Sequence, residues 1–234
     1  MKRHSDIKLI AMFCLMFLVA SCAKLDNYGE PRETLTGKII DKNTGKPILT
    51  STYDCMIKME ETSWSATPEP WKFTSKPDGT FLNTKVFQGT YIVTPVDGPF
   101  FPITGKTVEI KGSTTVDFEV EPYLNVSITN FTQTGGTATV AFKISSSKNS
   151  YKVTDAQVFV ATTSFVSDGT SLPAYKKSFD FNGTANAVVY AGTHTATIEN
   201  LMSKRTYYIR VGARVDSPIS NKYNYSEFKE VVIP

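Results

Sequence analysis

The side chains able to do chemistry in this chain are two histidines, three cysteines, a scatter of carboxylates and two tryptophans. A hydrolase or a metal centre needs a base or a ligand cluster, and histidine is a common supplier of both. His4 falls in the N-terminal stretch, and His194, flanked by Thr193 and Thr195 after Ala191-Gly192, has no partner histidine. Glu60 and Glu61 could pair with Asp54, since retaining glycosidases use two carboxyl groups about 5 Å apart. The spacing does not enforce that geometry, and a solvated strand end accounts for the same residues. Asp41, Asn43 and Asp78 carry the oxygen ligands that calcium prefers, yet each also lies where a turn would place it. No catalytic residue, metal ligand or cofactor is therefore assigned, and the expectation is a protein that is not an enzyme.

The tryptophans suit a different chemistry. Trp64 and Trp71 lie in Glu61-Thr62-Ser63-Trp64-Ser65-Ala66-Thr67-Pro68-Glu69-Pro70-Trp71-Lys72-Phe73, which is too rich in proline and polar residues for ordinary core. A sugar offers a face of C–H groups to an aromatic ring while its hydroxyls seek polar neighbours. Trp64 and Trp71 are thus candidate ligand-binding residues, with Tyr53, Glu61 and Glu69 as the polar neighbours. The competing reading is that one or both tryptophans cap the open end of a β-sandwich, and the residues leave both readings open. Gly98-Pro99-Phe100-Phe101-Pro102 is a second candidate for exposed aromatics, with packing between domains as its alternative.

Of the cysteines, Cys22 bears on location. Lys2, Arg3 and Lys8 form a basic head, residues 9–20 an uncharged run, and Ala20 and Ser21 are small residues before Cys22, the three-part plan of a secretory signal. The run of about twelve residues is short of the roughly 20 that a membrane-spanning helix needs. Residues 18–22 resemble a bacterial lipobox. The resemblance implies that residues 1–21 are a signal peptide, that Cys22 becomes the acylated first residue, and that residues 22–33 form a tether. Two or three acyl chains hold a protein durably on a bilayer where one does not. The lipid bilayer is thus an expected partner, and the outer membrane, at the cell surface, the expected location. Cys14 leaves with the signal, so Cys55 remains as the free thiol, with no intrachain disulfide or cysteine-rich metal site. Cys55, Ile57 and Met59 share one face of an alternating segment, which makes Cys55 a core residue. Loss of residues 1–21 lowers the formal net charge from +3 to about +1. The remaining charges are interspersed, which argues against a nucleic-acid partner.

Strands must position these residues. Phe, Tyr, Val and Thr are abundant and long helical periodicity is missing, which points to an all-β protein. Turns at residues 41–47, at Pro77-Asp78-Gly79 and at Gln88-Gly89 punctuate short strands, a spacing that suits a sandwich. Leu35-Thr36-Gly37-Lys38-Ile39-Ile40-Asp41, Thr44-Gly45-Lys46-Pro47-Ile48, Asp78-Gly79-Thr80-Phe81 and Gly89-Thr90-Tyr91 resemble the landmarks of the carboxypeptidase regulatory-like, transthyretin-like domain. That resemblance implies a β-sandwich over residues 34–121 with no chemistry of its own, here carrying an insertion, 51–75, that holds both tryptophans.

Residues 122–234 read as a second domain, with strands expected at 125–128, 138–144, 156–162, 187–189 and 195–198. Residues 206–215 alternate most strongly, with Tyr207, Ile209, Val211 and Ala213 on one face and Tyr208, Arg210 and Arg214 on the other. Leu201, Tyr207 and Ile209-Arg210-Val211-Gly212-Ala213 resemble the region of a fibronectin type III domain in which a tyrosine forms the corner between sheets. The fold expected is two tandem β-sandwich domains, transthyretin-like then immunoglobulin-like. Taken whole, the chain resembles two-domain lipoproteins of Bacteroidota encoded beside SusC/SusD-type pairs that import glycans across the outer membrane. This implies a non-catalytic outer-membrane lipoprotein that binds glycan or assists polysaccharide uptake, with a polysaccharide and a SusC/SusD-type complex as partners. The alternative is a structural or adhesive module, a spacer or fimbria-associated subunit that binds another protein.

Overall fold

The computed structural model describes residues 29–234. The expected signal peptide and Cys22 lie outside these residues. Residues Arg32–Pro234 form one compact unit, built from two β-sandwiches in tandem.

The first sandwich packs two sheets face to face. One sheet holds β1 (Glu33–Asp41), β4 (Thr80–Val86), β7 (Ser113–Thr115) and β8 (Phe118–Val120). In it β4 runs antiparallel to β1, while β7 and β8 run parallel to β1. The other sheet has the order β3 (Trp71–Thr74), β2 (Met56–Glu61), β5 (Gly89–Val96), β6 (Lys106–Ile110). Alternation decides which side chains meet between the sheets: Leu35 and Ile39 from β1 face Ile57 and Met59 from β2, with Phe81, Val93 and Phe118 filling the layer. Each such side chain contributes roughly 1.5–3 kcal/mol on burial. Cys55 is fully buried here, and burial pushes its thiol up to about 12, so it packs as a small apolar residue. The insertion 51–75 is therefore part of the sandwich, since it supplies both β2 and β3.

The second sandwich pairs a sheet of order β13 (His194–Ile198), β10 (Thr137–Ser145), β9 (Asn125–Thr134) with a larger one. The larger sheet runs β12 (Lys177–Asp180), β11 (Val153–Ala161), β14 (Arg205–Val215), with β15 (Asn224–Tyr225) and β16 (Lys229–Ile233) both on the far edge of β14. Tyr207, Ile209, Val211 and Ala213 are buried as their alternation requires. Tyr207 also makes the corner: its hydroxyl accepts the Met202 backbone N–H at 3.1 Å. The segment 187–189, expected as a strand, instead lies in a short helix, Asn186–Ala191. There Val189 turns into the core and Val188 to solvent, and packing overrides the strand preference of the two valines.

The two sandwiches are fastened by polar groups. Arg210, expected on a solvated face, is 5% exposed. Its guanidinium donates to the carbonyls of Ser226, Val166 and Thr50 at 2.8, 3.2 and 3.4 Å and lies over the Tyr225 ring. Burial pulls its pKa down to about 10, which still leaves it charged at neutral pH. Asn224 accepts the Leu124 N–H at 3.1 Å and donates to the Pro99 carbonyl at 2.8 Å. Ser51 donates to Ser167 at 2.9 Å. Glu121, at the seam, accepts from the Ser147 hydroxyl at 2.6 Å and from Lys42 and Lys148, each at 2.9 Å. The Ser147, Lys148 and Lys42 donors hold its carboxyl down to about 2. Phe101 stacks on Tyr151 at 5.6 Å and meets Tyr123 edge-on at 4.9 Å, while Phe100 is buried in the first core. The aromatics of residues 98–102 thus serve packing within and between domains.

Candidate functional site

The exposed tryptophans are set by the β2–β3 hairpin. These strands pair antiparallel with Met59 opposite Trp71 and Ile57 opposite Phe73. Trp71 therefore shares the inward face with Met59, but β3 is the sheet's edge and the indole is left 38% exposed, leaning on Phe73 at a centroid distance of 5.7 Å. Trp64, in the connection between the strands, is 68% exposed. The two readings of these residues thus divide between them. Trp71 closes the open edge of the sandwich and still presents part of its ring, whereas Trp64 is displayed to solvent.

Glu61 shares this face of the sheet, but its carboxylate is turned away from Trp71, towards Gly89 on β5, across β2 from β3. It is two residues beyond Met59 on β2, so it lies on the same face as Trp71 and diagonal to it, at a spacing of roughly 7–8 Å. Its Oε1 is occluded and has no hydrogen-bond donor among the described residues. The cause is Gly89: a Cβ there would stand 2.7 Å from that oxygen and 3.0 Å from Ser63 Oγ, so the missing side chain is what makes room for the carboxylate. Ser63 Oγ in turn accepts the Thr90 N–H at 2.6 Å, which ties the start of the connection to β5. Glu69 is exposed further along the same connection.

Tyr53 is not brought to this surface. It is 74% exposed with φ +67°, but it precedes β2 whereas Trp64 follows it, and six strand residues span about 20 Å. Its neighbours Ser51 and Asp54 face the second sandwich, Asp54 through Lys222 at 3.1 Å. Proximity in sequence suggested a common site, and the extended strand between them separates the two ends.

The remaining chemistry-bearing residues are engaged locally. Asp54 and Glu60 sit at opposite ends of β2, and Glu60 pairs with Lys58 at 2.7 Å. Asp41 accepts from the Asn43 N–H and the Thr44 hydroxyl, and Asp78 from both donors of Thr80. Turn donors thus engage both carboxylate oxygens of Asp41 and one of Asp78, and no group of three or more His, Cys, Asp or Glu is placed to hold a metal among the described residues. His194 Nε2 lies 3.0 Å from the Val189 carbonyl, which can only accept, so the ring carries its proton there while Phe142, Phe179 and Phe181 surround it. Among the described residues, no helix is long and apolar enough to cross a membrane.

A cleft of about 410 Å³ opens between the sandwiches, walled by Lys46 and Ile48 from the first and by Val126, Tyr225 and Glu227 from the second. Its walls are more than 170 residues apart in sequence at the extreme. Each residue reads locally as a turn or strand position, so the sequence carries no signal for it.

Fold and site together define a tandem β-sandwich protein with two exposed tryptophans on the hairpin at one sheet edge. The chain belongs to the DUF3823 family: residues 33–121 match "Protein of unknown function (DUF3823) N-terminal domain" and residues 124–230 match "Domain of unknown function (DUF3823_C)". Among solved structures, a DUF3823 family protein from Bacteroides uniformis is similar at 29% identity and a TM-score of 0.78, over 87% of this chain and 100% of that one. A candidate carbohydrate binding protein from the same species is similar at 24% identity and a TM-score of 0.75, over 86% of this chain and 99% of that one. A family member from Parabacteroides merdae has 22% identity and a TM-score of 0.70, over 87% and 100%. No protein of curated function matches the chain.

Proposed function

We propose that this is a non-catalytic, lipid-anchored protein of the outer membrane that binds a glycan through the β2–β3 hairpin and serves a SusC/SusD-type polysaccharide-uptake system. The observation that carries the reading is the exposure of Trp64 and Trp71 on one hairpin. Leaving indole surface in water forgoes about 25 cal/mol per Å², so covering the exposed part of two tryptophans with a sugar face would return on the order of 2–4 kcal/mol. Glu69, exposed on the same connection, supplies an acceptor for sugar hydroxyls. A relative of the same fold is described as a candidate carbohydrate binding protein, which is in line with this reading. The anchor rests on the likeness of residues 18–22 to a lipobox, with Cys22 as the acylated residue.

Residues 29–234 contain the compact unit, so they are the protein to test. In affinity electrophoresis against a panel of polysaccharides, retardation by at least one glycan is expected, lost in Trp64→Ala and Trp71→Ala while their thermal melts stay intact. Retention of all binding in the double variant would overturn the assignment of the hairpin. Anchoring is tested by metabolic labelling with palmitate, which Cys22→Ser should abolish. Outward display is tested by protease shaving of intact cells, which should cleave the chain.

A further inference from the structure

We propose a second glycan contact at the opposite end of β2 from Trp64: a polar pocket between the sandwiches, with Tyr53 at its rim, that takes an uncharged stretch of the polysaccharide. The inference rests on the glycan-binding reading above for the class of ligand and adds a site on which the hairpin does not depend.

Tyr53 holds a conformation that its side chain does not favour. The Asp54 N–H closes a turn on the Ser51 carbonyl at 3.2 Å, and Tyr53 is the third residue of that turn, with φ +67°. Glycine or asparagine is the usual occupant of such a position, because a Cβ is crowded at positive φ. Packing does not account for the exception. The residue is 74% exposed, and neither its ring nor its hydroxyl has a partner among the described residues. A strained residue that the core does not need points to a role in binding.

The pocket beside it, about 320 Å³, is built from both sandwiches. Thr52 and Asp54, the residues either side of Tyr53, wall it from the first, while Asp168, Arg214, Asn221 and Lys222 wall it from the second. Two contacts hold these walls together. Ser51 donates to Ser167 at 2.9 Å, and Arg210 Nη1 donates to the carbonyls of both Thr50 and Val166. The facing loop carries a second bare ring, Phe165, which is 66% exposed and three residues before Asp168. Aromatic surface and polar lining are thus carried on the same two segments, the combination that a sugar needs.

The lining carries charges of both signs, and each already has its counter-charge in the protein. Lys222 pairs with Asp54 at 3.1 Å, Asp168 with Lys176 at 3.1 Å and Arg214 with Asp155 at 2.7 Å. A ligand carboxylate or sulfate would meet no unpaired cation in this lining. Hydroxyls, by contrast, can donate to the carboxylates and accept from N–H groups that remain free. Arg214 spends Nε on Asp155, while its Nη groups and the Asn221 amide have no hydrogen-bond acceptor among the described residues.

The test is affinity electrophoresis of residues 29–234 against mannan, galactan, alginate and polygalacturonate, for wild type, Tyr53→Gly, Asn221→Ala and the Trp64→Ala/Trp71→Ala double variant, at about 20 mM and about 200 mM salt. A neutral member should retard the wild type, and Tyr53→Gly and Asn221→Ala should each weaken that binding about three- to tenfold at either salt concentration. Glycine suits φ +67°, so Tyr53→Gly should melt at or above the wild-type temperature while its binding falls, a combination that loss of structure does not produce. A lower melt for Tyr53→Gly would mean that the ring serves packing, and wild-type binding by both single variants would remove the site. Either result overturns the proposal and leaves the hairpin reading intact. Tighter binding of an anionic member, weakened by the same two substitutions, would overturn the ligand class. Binding that falls in these two variants but not in the double tryptophan variant would support the pocket and overturn the hairpin. Retardation by none of the four would overturn both.

Discussion

Asn224 offers a quantitative test of how the two sandwiches are joined. Its amide has a forced orientation: the Leu124 N–H can only donate and the Pro99 carbonyl can only accept, so Oδ1 faces the first and Nδ2 the second. Asn224→Ala leaves the buried Leu124 N–H unsatisfied, at a cost of roughly 1–3 kcal/mol, while the Pro99 carbonyl keeps the Tyr123 N–H at 3.1 Å. Asn224→Asp keeps the acceptor for Leu124 but sets a second oxygen against the Pro99 carbonyl, where the native contact is 2.8 Å. Only the protonated acid can donate there, so the folded pKa rises above the unfolded value of about 3.9. A raised pKa contributes stability that is fully present below the unfolded value and is lost as the pH climbs through the folded one. The deficit of the Asp variant should therefore be smallest near pH 4 and widen towards pH 7, whereas that of the Ala variant should stay flat. Denaturant unfolding of both variants and wild type at matched pH measures this and cancels the other titrating groups. An Ala variant within about 0.5 kcal/mol of wild type, or an Asp deficit independent of pH, would refute the bridging role.

Three further outcomes are expected. Cys55, with its thiol raised to about 12 by burial, should resist a thiol reagent in the native protein and react on unfolding, and rapid native labelling would contradict its place in the core. Tyr207→Phe removes the acceptor of the Met202 N–H and should cost about 1–2 kcal/mol in unfolding free energy without changing glycan retardation. Glu121 is held down to about 2, so its stabilisation is present above the unfolded value of about 4.3 and fades as the pH falls towards 2. The stability gap between wild type and Glu121→Gln should accordingly close over that interval, and a constant gap would show that the ion pairs add nothing.

What was legible in the sequence was whatever a single strand decides for itself. The alternation of Cys55, Ile57 and Met59 and that of Tyr207 to Ala213 depend on the pleat alone, and both are buried as read. Arg210 shows the limit of that reasoning. Its face of β14 is covered by segments around Thr50 and Ser226, the former 160 residues away in sequence, so a residue that alternation assigns to solvent becomes the centre of a junction. Trp71 was read from a proline-rich, polar neighbourhood as outside ordinary core, yet pairing with Met59 makes it half core and half surface. Tyr53 was read by proximity, and a six-residue strand removes it. The role of Gly89 needed the fold, because β5 must lie beside β2 before a missing side chain can matter to Glu61.

The parallel pairing of β1 with β7 and β8 has a mechanical consequence. The chain enters the first sandwich at the start of β1 and leaves it at the end of β8, and because the strands point the same way these two points lie at opposite ends. Tension between the N-terminal end and the second sandwich would therefore slide β1 lengthwise against β7 and β8. The pairs Thr34↔Ser113 to Thr36↔Thr115 and Ile39↔Phe118 to Asp41↔Val120 would be loaded together in shear, with no end from which to peel one at a time. Such a clamp resists pulling far better than a hairpin opened from its tip. A load applied between the N-terminal end of this domain and the second sandwich would thus be carried through its backbone ladder without the domain coming apart.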